Sequence, residues 1–246
     1  MNESIPNPDP GAITINGCQI KFPQSKKPFS SQLAVISKAL VAMNSGTNAL
    51  LESPTGTGKT LALLTSTLSW QIKKFQTDHE EYELNSSKEL ESTRSMSQQD
   101  LNDENKSKTN SYPLPTVKPK LSKPKKKTIF FCSRTHSQLQ QVIDELRNCH
   151  DDYIEDLSMC ILSARSHLCV NDKAKKASSQ GGKTIDEVCH DLNEKGSCSY
   201  SYNPKEVYNQ LINRKVWDIE DAVMIGKKHK GCPYYARFLI RMLNIS

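Results

Sequence analysis

An octapeptide, Ser53-Pro54-Thr55-Gly56-Thr57-Gly58-Lys59-Thr60, restricts this chain more than any other feature. Before it, Asn48–Glu52 (NALLE) is a short apolar run that reads as a strand. After it, Leu61, Leu64, Leu68, Ile72 and Phe75 recur at helical spacing. Phosphate oxygens need several N–H donors converging on one point, and glycines let a backbone curl and approach closely enough to supply them. Lys59 adds a positive charge for the β- and γ-phosphates, and the Thr60 hydroxyl can hold Mg²⁺. A helix starting here also points its positive end at the anion. The expectation is ATP with Mg²⁺ bound by Ser53, Pro54, Thr55, Gly56, Thr57, Gly58, Lys59 and Thr60. The bland alternative, a glycine-rich turn of no consequence, suits the flanking strand and helix poorly.

The same alternation continues. Upstream, Phe22-Pro23 precedes Ser31-Gln32 at the head of a helix marked by Leu33, Ile36, Leu40 and Met43. Downstream, Thr128–Cys132 (TIFFC) reads as a buried strand. Leu139, Val142, Ile143 and Leu146 mark a helix face, and Leu157–Leu162 (LSMCIL) is a third strand candidate. Strand, helix, strand, helix, strand predicts an α/β fold with a parallel sheet and right-handed crossovers. Residues 76–127 interrupt it. These 52 residues hold nine apolar side chains, too few to offset the entropy of ordering them, so the segment is predicted to be a disordered insertion. Its lysine-rich end, Lys118–Lys127, reads either as a nuclear-import signal or as a run that keeps the insertion soluble.

Beyond Leu162 strand candidates stop and short helices follow. Asn203-Pro204-Lys205-Glu206 has an N-cap residue, proline at the first helical position and Glu three after the cap. Asp218 caps a helix that Gly226 should end, and another begins at Pro233.

Composition excludes several classes. There is no run of about 18 apolar residues to span a membrane. Met1–Gly11, with two acids, three prolines and no apolar stretch, is not a secretory signal. Eight cysteines in 246 residues fall far below the density of a disulfide scaffold, so reduced thiols are expected and a clustered set points to metal. Cys169, Cys189, Cys198 and Cys232 are separated by 19, 8 and 33 residues, with no C-x-x-C pair. By spacing alone they read as scattered core thiols or as weak metal ligands. Cys132 and Cys160, inside strand candidates, read as small core residues. A formal charge of +6 is a modest bias toward polyanions and settles nothing alone.

Four blocks in order, LLESPTGTGKTLALL, FFCSRTHSQLQQVIDELRN, ILSARSHLCV and WDIEDAVMIGKKHKGCPYY, resemble the iron–sulfur superfamily 2 DNA helicases of the xeroderma pigmentosum group D-like family. The resemblance covers roughly residues 17–75 and 128–235. WDIED…GKK favours the Fanconi anaemia group J branch, while QVIDELRN also suits the telomere-regulator branch. Ser53, where the strict loop pattern has Gly, is a variation such helicases tolerate.

The resemblance implies an incomplete RecA-like P-loop domain over residues 12–75 and 128–163, with a small helical iron–sulfur domain over 164–235. Residues 1–11 are expected to be disordered and 236–246 to diverge. It implies that Gln32 reads adenine and that Cys169, Cys189, Cys198 and Cys232 hold a [4Fe–4S] cluster, with zinc the runner-up metal. It further implies DNA contacts, to single strands and forked duplex, at Arg134, Thr135, His136, Arg165, Lys227, Lys228 and Lys230, with Arg237 in the same basic rim. DNA-repair proteins are the implied partners and the nucleus the implied location.

A helicase motor also needs a Walker B carboxylate pair and a second RecA-like domain. Asp186-Glu187-Val188-Cys189-His190 reads D-E-x-x-H, lacks a preceding apolar strand and overlaps a proposed ligand, so it is rejected as that pair. The expected function is therefore the N-terminal part of an ATP-dependent 5′→3′ DNA helicase that binds ATP and DNA but does not unwind DNA as this chain alone. A non-catalytic DNA- or partner-binding metal protein is the alternative, and an unrelated P-loop NTPase with a zinc domain is the third reading.

Overall fold

The computed structural model describes residues 12–23, 27–99, 122–155 and 157–243. The chain opens with an antiparallel hairpin of β1 (Ala12–Ile15) and β2 (Cys18–Lys21). Asn16 and Gly17 form its two-residue turn with φ of 47° and 76°. Asn-Gly tolerates two successive positive φ values, which is the turn that matches strand twist. Cys18 and Ile20 point inward and are fully buried.

Helix α1 (Ser30–Ser45) follows and ends at Gly46 in the left-handed conformation. It packs with the hairpin against α2, which starts at Lys59. Val35, Ile36 and Leu40 of α1 meet Leu61, Leu64 and Leu68 of α2 in a first core. Helix α3 (His136–Arg147) adds Val142 and Leu146, and α4 (Asp151–Glu155) adds Tyr153. The buried Tyr153 hydroxyl lies 2.6 Å from Ser69 Oγ and accepts the Lys21 backbone N–H at 2.8 Å, tying hairpin, α2 and α4 together.

The structure corrects two expectations here. Helix α2 runs from Lys59 to Gln99 without a break, so residues 76–99 are helical where disorder was predicted. No Gly or Pro interrupts this stretch, and Lys74–Asp78 at 2.6 Å supplies support one turn apart. Scarce apolar residues argue against burial, but a helix continuing from a packed segment needs only propensity and the absence of breakers. Residues 100–121 of that insertion, and residues 1–11, lie outside the described residues.

The second correction concerns the sheet. Among the described residues the only strands are β1 and β2; segments 48–52, 128–132 and 157–162 form no ladder. Burial along 128–132 nonetheless alternates, and the other two segments each lay apolar residues on a core. Leu51, Ile129, Phe131, Leu157 and Met159 pack on the first core, whereas Leu50, Phe130 and Leu162 are 99%, 70% and 59% exposed. Cys132, expected in the core, is exposed as well. Period-two burial requires only a core beneath the chain; a sheet also requires neighbours in register, which a single segment's pattern does not specify.

A second core belongs to the helical part. There α5 (Arg165–Leu168), α6 (Asp172–Gln180) and α7 (Ile185–Glu194) precede α8 (Pro204–Arg214), α9 (Ile219–Lys228) and α10 (Pro233–Leu243). Leu168, Val207, Leu211, Trp217, Ala222, Ile225 and Ala236 form this core, and Met159 touches both cores. Gly226 does not end α9 as predicted. It lies inside the helix, and a Cβ there would sit 2.5 Å from Pro233 Cγ, so the glycine lets the start of α10 press against α9.

An ionic junction joins the two parts. Arg147, in the last turn of α3, reaches the carboxylates of Asp218 and Asp221 at 2.7 and 2.8 Å. Arg214 holds the other oxygen of Asp221 at 2.8 Å, and Gln140 donates to Asp218 at 3.3 Å. Asp218 is also the N-cap of α9, accepting the Asp221 N–H at 2.7 Å. Burial pushes the Asp218 carboxyl up, but that N–H bond, Arg147 and Gln140 together hold it below the usual carboxylate range.

Candidate functional site

Two candidate sites emerge. The first is the loop before α2. Gly56 and Gly58 have φ of 79° and 72°, a left-handed backbone that L side chains rarely adopt. Ser53 Oγ and Thr57 Oγ1 lie 2.6 Å apart, and Thr57 donates to the Pro54 carbonyl at 2.9 Å, closing the loop on itself. The Lys59 ammonium donates to the carbonyls of Ser53 and of Pro54, the latter at 2.7 Å. Lys59 and Thr60 open the first turn of α2, while Thr55 and Gly56 are exposed at the rim.

Gln32 is brought to this loop from α1. Its Oε1 accepts the Phe29 N–H at 2.9 Å and its Nε2 donates to the Gly58 carbonyl at 3.2 Å. The side chain is buried. Its amide therefore positions the glycine before Lys59, whatever further contact it makes.

The second site is a small cavity in the helical part, with a volume of about 20 Å³. Cys169, Cys189, Cys198 and Cys232 all line it, although the sequence separates them widely. Cys169 ends α5, Cys189 lies on α7, Cys198 follows the turn after α7, and Cys232 precedes α10. Gly231 makes the last placement possible, since a Cβ there would lie 2.2 Å from the Asn203 carbonyl oxygen.

Burial pushes the Cys232 thiol up to about 11, opposing backbone N–H bonds from Tyr235 and Tyr234 that pull it down. Burial raises Cys169 as well. None of the eight cysteines forms a disulfide, and among the described residues no three Cys, His, Asp or Glu side chains are grouped to hold a metal ion.

The residues expected to contact DNA divide. Thr135 caps α3, accepting the Gln138 N–H at 3.3 Å, and Arg134 beside it is exposed. The His136 ring lies against His167, centroids 4.3 Å apart. Lys227, Lys228 and Lys230 are exposed around the C-terminal end of α9, where cations also suit the helix dipole. Arg165 lines the cysteine cavity and pairs with Asp186 at 2.9 Å.

Sequence reasoning missed what surrounds Arg165. The guanidiniums of Arg165 and Arg237 lie 4.4 and 3.9 Å from the Tyr234 ring centroid, and both Nε atoms are buried without a partner among the described residues. It also missed Asn171 and Asn193, whose amides approach Cys198 and Cys189 at 3.6 and 3.3 Å. The spacing was there to read: Asn171 stands two residues after one cysteine, and Asn193 one helical turn after another. The rejected D-E-V-C-H stretch lies within α7, away from any strand.

Residues 131–245 match the DEAD_2 family model. The chain is 35% identical over 231 residues to regulator of telomere elongation helicase 1 of Rattus norvegicus, covering 91% of this chain and 16% of that protein. To the Homo sapiens protein of the same name it is 34% identical over 233 residues, covering 91% and 17%. To the Aedes aegypti homolog it is 31% identical over 234 residues, covering 90% and 22%. The chain thus spans about a fifth or less of the length of these relatives. They carry the name of the telomere-regulator branch that QVIDELRN suits, not of the group J branch. No helix among the described residues is long and apolar enough to cross a membrane. The chain is thus similar to these helicases over about nine-tenths of its own length.

Proposed function

We propose that this chain is the N-terminal part of an ATP-dependent DNA helicase, working 5′→3′ in the nucleus in DNA repair. The observation that carries the reading is the pairing, in one chain, of a glycine loop at the head of α2 with a cavity lined by four cysteines. ATP with Mg²⁺ is read onto Ser53–Thr60: the loop amides and Lys59 take the phosphates, and Thr60 takes the metal. Single-stranded and forked DNA is read onto Arg134, Thr135, His136, Arg165, Lys227, Lys228 and Lys230, as sequence-independent phosphate contacts.

The four cysteines line one cavity, and four thiolates are the donor set of a [4Fe–4S] cluster as they are of structural zinc. The resemblance of the four sequence blocks favours the cluster, with zinc as the runner-up. Thiolate ligation would overcome the raised thiol pKa values by displacing protons. The cluster would supply a negatively charged, redox-capable anchor for α5, α7 and α10.

The test uses the full chain purified without oxygen. Binding of a fluorescent ATP analogue should fall at least tenfold in Lys59→Ala, and iron and acid-labile sulfide should be present in equal amounts. Salt-sensitive DNA binding with no nucleotide binding in the unaltered chain would sink the motor reading and favour a DNA-binding metal protein. No strand separation is expected from this chain alone, because the Walker B pair is not among its residues.

A further inference from the structure

Two asparagines lean on the sulfurs of the cysteine cavity, and their orientation is fixed by bonds made elsewhere. Asn171, almost wholly buried, caps α6: its Oδ1 accepts the Lys173 and Ala174 N–H groups at 3.1 and 3.2 Å. With the oxygen committed to the helix, the amide nitrogen must face the other way, and it faces Cys198 Sγ at 3.6 Å. On α7, Asn193 Nδ2 donates to the Cys189 carbonyl at 2.7 Å, which requires a nitrogen at that place. The same NH₂ group lies 3.3 Å from Cys189 Sγ. In each case the bond made elsewhere leaves the NH₂ group facing a cysteine sulfur.

We propose that Asn171 and Asn193 are positioning residues for the metal centre, holding the sulfurs of Cys198 and Cys189 through N–H···S hydrogen bonds that stabilise its more reduced state. The inference rests on the cluster reading of this cavity. Such bonds draw charge from a thiolate, so a centre that gains an electron is favoured by them, and removing a donor moves the reduction potential to more negative values. Cys169 and Cys232 receive no such side-chain amide among the described residues and are met by backbone N–H groups, so the two asparagines are the side chains through which this effect can be altered.

The experiment compares the full chain with Asn171→Ser and Asn193→Leu, each reconstituted anaerobically with iron and sulfide. Serine keeps the α6 cap but its hydroxyl stops short of the sulfur; leucine keeps the volume and the helix. Iron and sulfide content are measured first, then the midpoint potential by dithionite titration followed by electron paramagnetic resonance. The expected result is wild-type content, a more negative midpoint in each variant, and a larger shift in the double variant. Full content with an unmoved midpoint in both variants overturns the proposal and leaves the cluster reading intact. Loss of iron in both, with an unmoved midpoint in whatever cluster remains, overturns it too, because the asparagines would then serve folding alone. Zinc without sulfide in the unaltered chain overturns the cluster reading and this inference with it.

Discussion

The phosphate loop and the cysteine cavity are built in opposite ways. The loop is eight contiguous residues whose shape is held by its own bonds, from Ser53 to Thr57, Thr57 to Pro54, and Lys59 to the carbonyls behind it. The cavity takes its four thiols from 64 residues of chain, and they meet only where α5, α7, α8, α9 and α10 pack together. A locally held site should survive damage elsewhere, whereas an assembled site should be lost with the packing beneath it. Substitutions in the packing beneath the cysteines should therefore harm the cavity and spare the loop.

The largest effect is expected from Gly231→Val. Its branched side chain would meet Asn203 backbone and Val207 at once, and overpacking of this kind costs about 3 kcal/mol. Iron content should collapse while binding of a fluorescent ATP analogue is retained. Loss of both together would show that the two sites are one cooperative unit. Next comes Leu211→Ala, which removes a fully buried side chain from the second core. It should cost about 3 kcal/mol, read as a lowered thermal midpoint with nucleotide affinity unchanged.

Gly58→Ala reverses the comparison. Its φ of 72° disfavours any side chain, and the new Cβ would lie 2.3 Å from Gln32 Nε2. About 1–2 kcal/mol of strain is expected, with nucleotide affinity falling and iron content unaffected.

Arg147→Ala tests the junction between the parts and should cost about 1 kcal/mol at neutral pH, given its partial exposure. The Asp218 carboxyl is held low in the folded chain. Its stabilisation is therefore present above the unfolded carboxylate pKa and is lost as pH falls through the lower folded value. Unfolding midpoints of the unaltered and variant chains should converge on acidification, and a gap unchanged across that range would remove Asp218 from the account. The smallest effect belongs to Thr135→Ala, about 0.5 kcal/mol from a lost cap. A DNA affinity that falls by more than this cap accounts for, in a fluorescence anisotropy titration, would give Thr135 a contact of its own.

Legibility in the sequence followed the same division. The octapeptide, the start of α2, the face of α3 and the proline starts of α8 and α10 were readable, because each is specified within a few residues. The hairpin also had a local mark, Asn16-Gly17, which went unread. The convergence of the four cysteines was not legible from spacing and came only from family resemblance, since it depends on glycines at 226 and 231 whose close contacts are between elements. The three strand candidates show the converse limit. Phe130 exposed between Ile129 and Phe131 carries the alternation of a strand, yet alternation names no partner. Residues 76–99 show a different limit: their polarity predicts disorder, although α2 passes through them with nothing to stop it.

The Lys59 ammonium already rests on two carbonyl oxygens of its own loop. Nucleotide therefore enters this site by exchange and not by addition. A phosphate that draws the ammonium away must replace those bonds before it gains any advantage, so the measured affinity is a difference between two occupied states. The loop carries an internal competitor whose concentration never changes. Weak nucleotide binding by the chain would then report how well that competitor fits and would be no sign of a malformed loop. Replacing Lys59 would leave those carbonyls in place and remove the cation for which they and the phosphate compete.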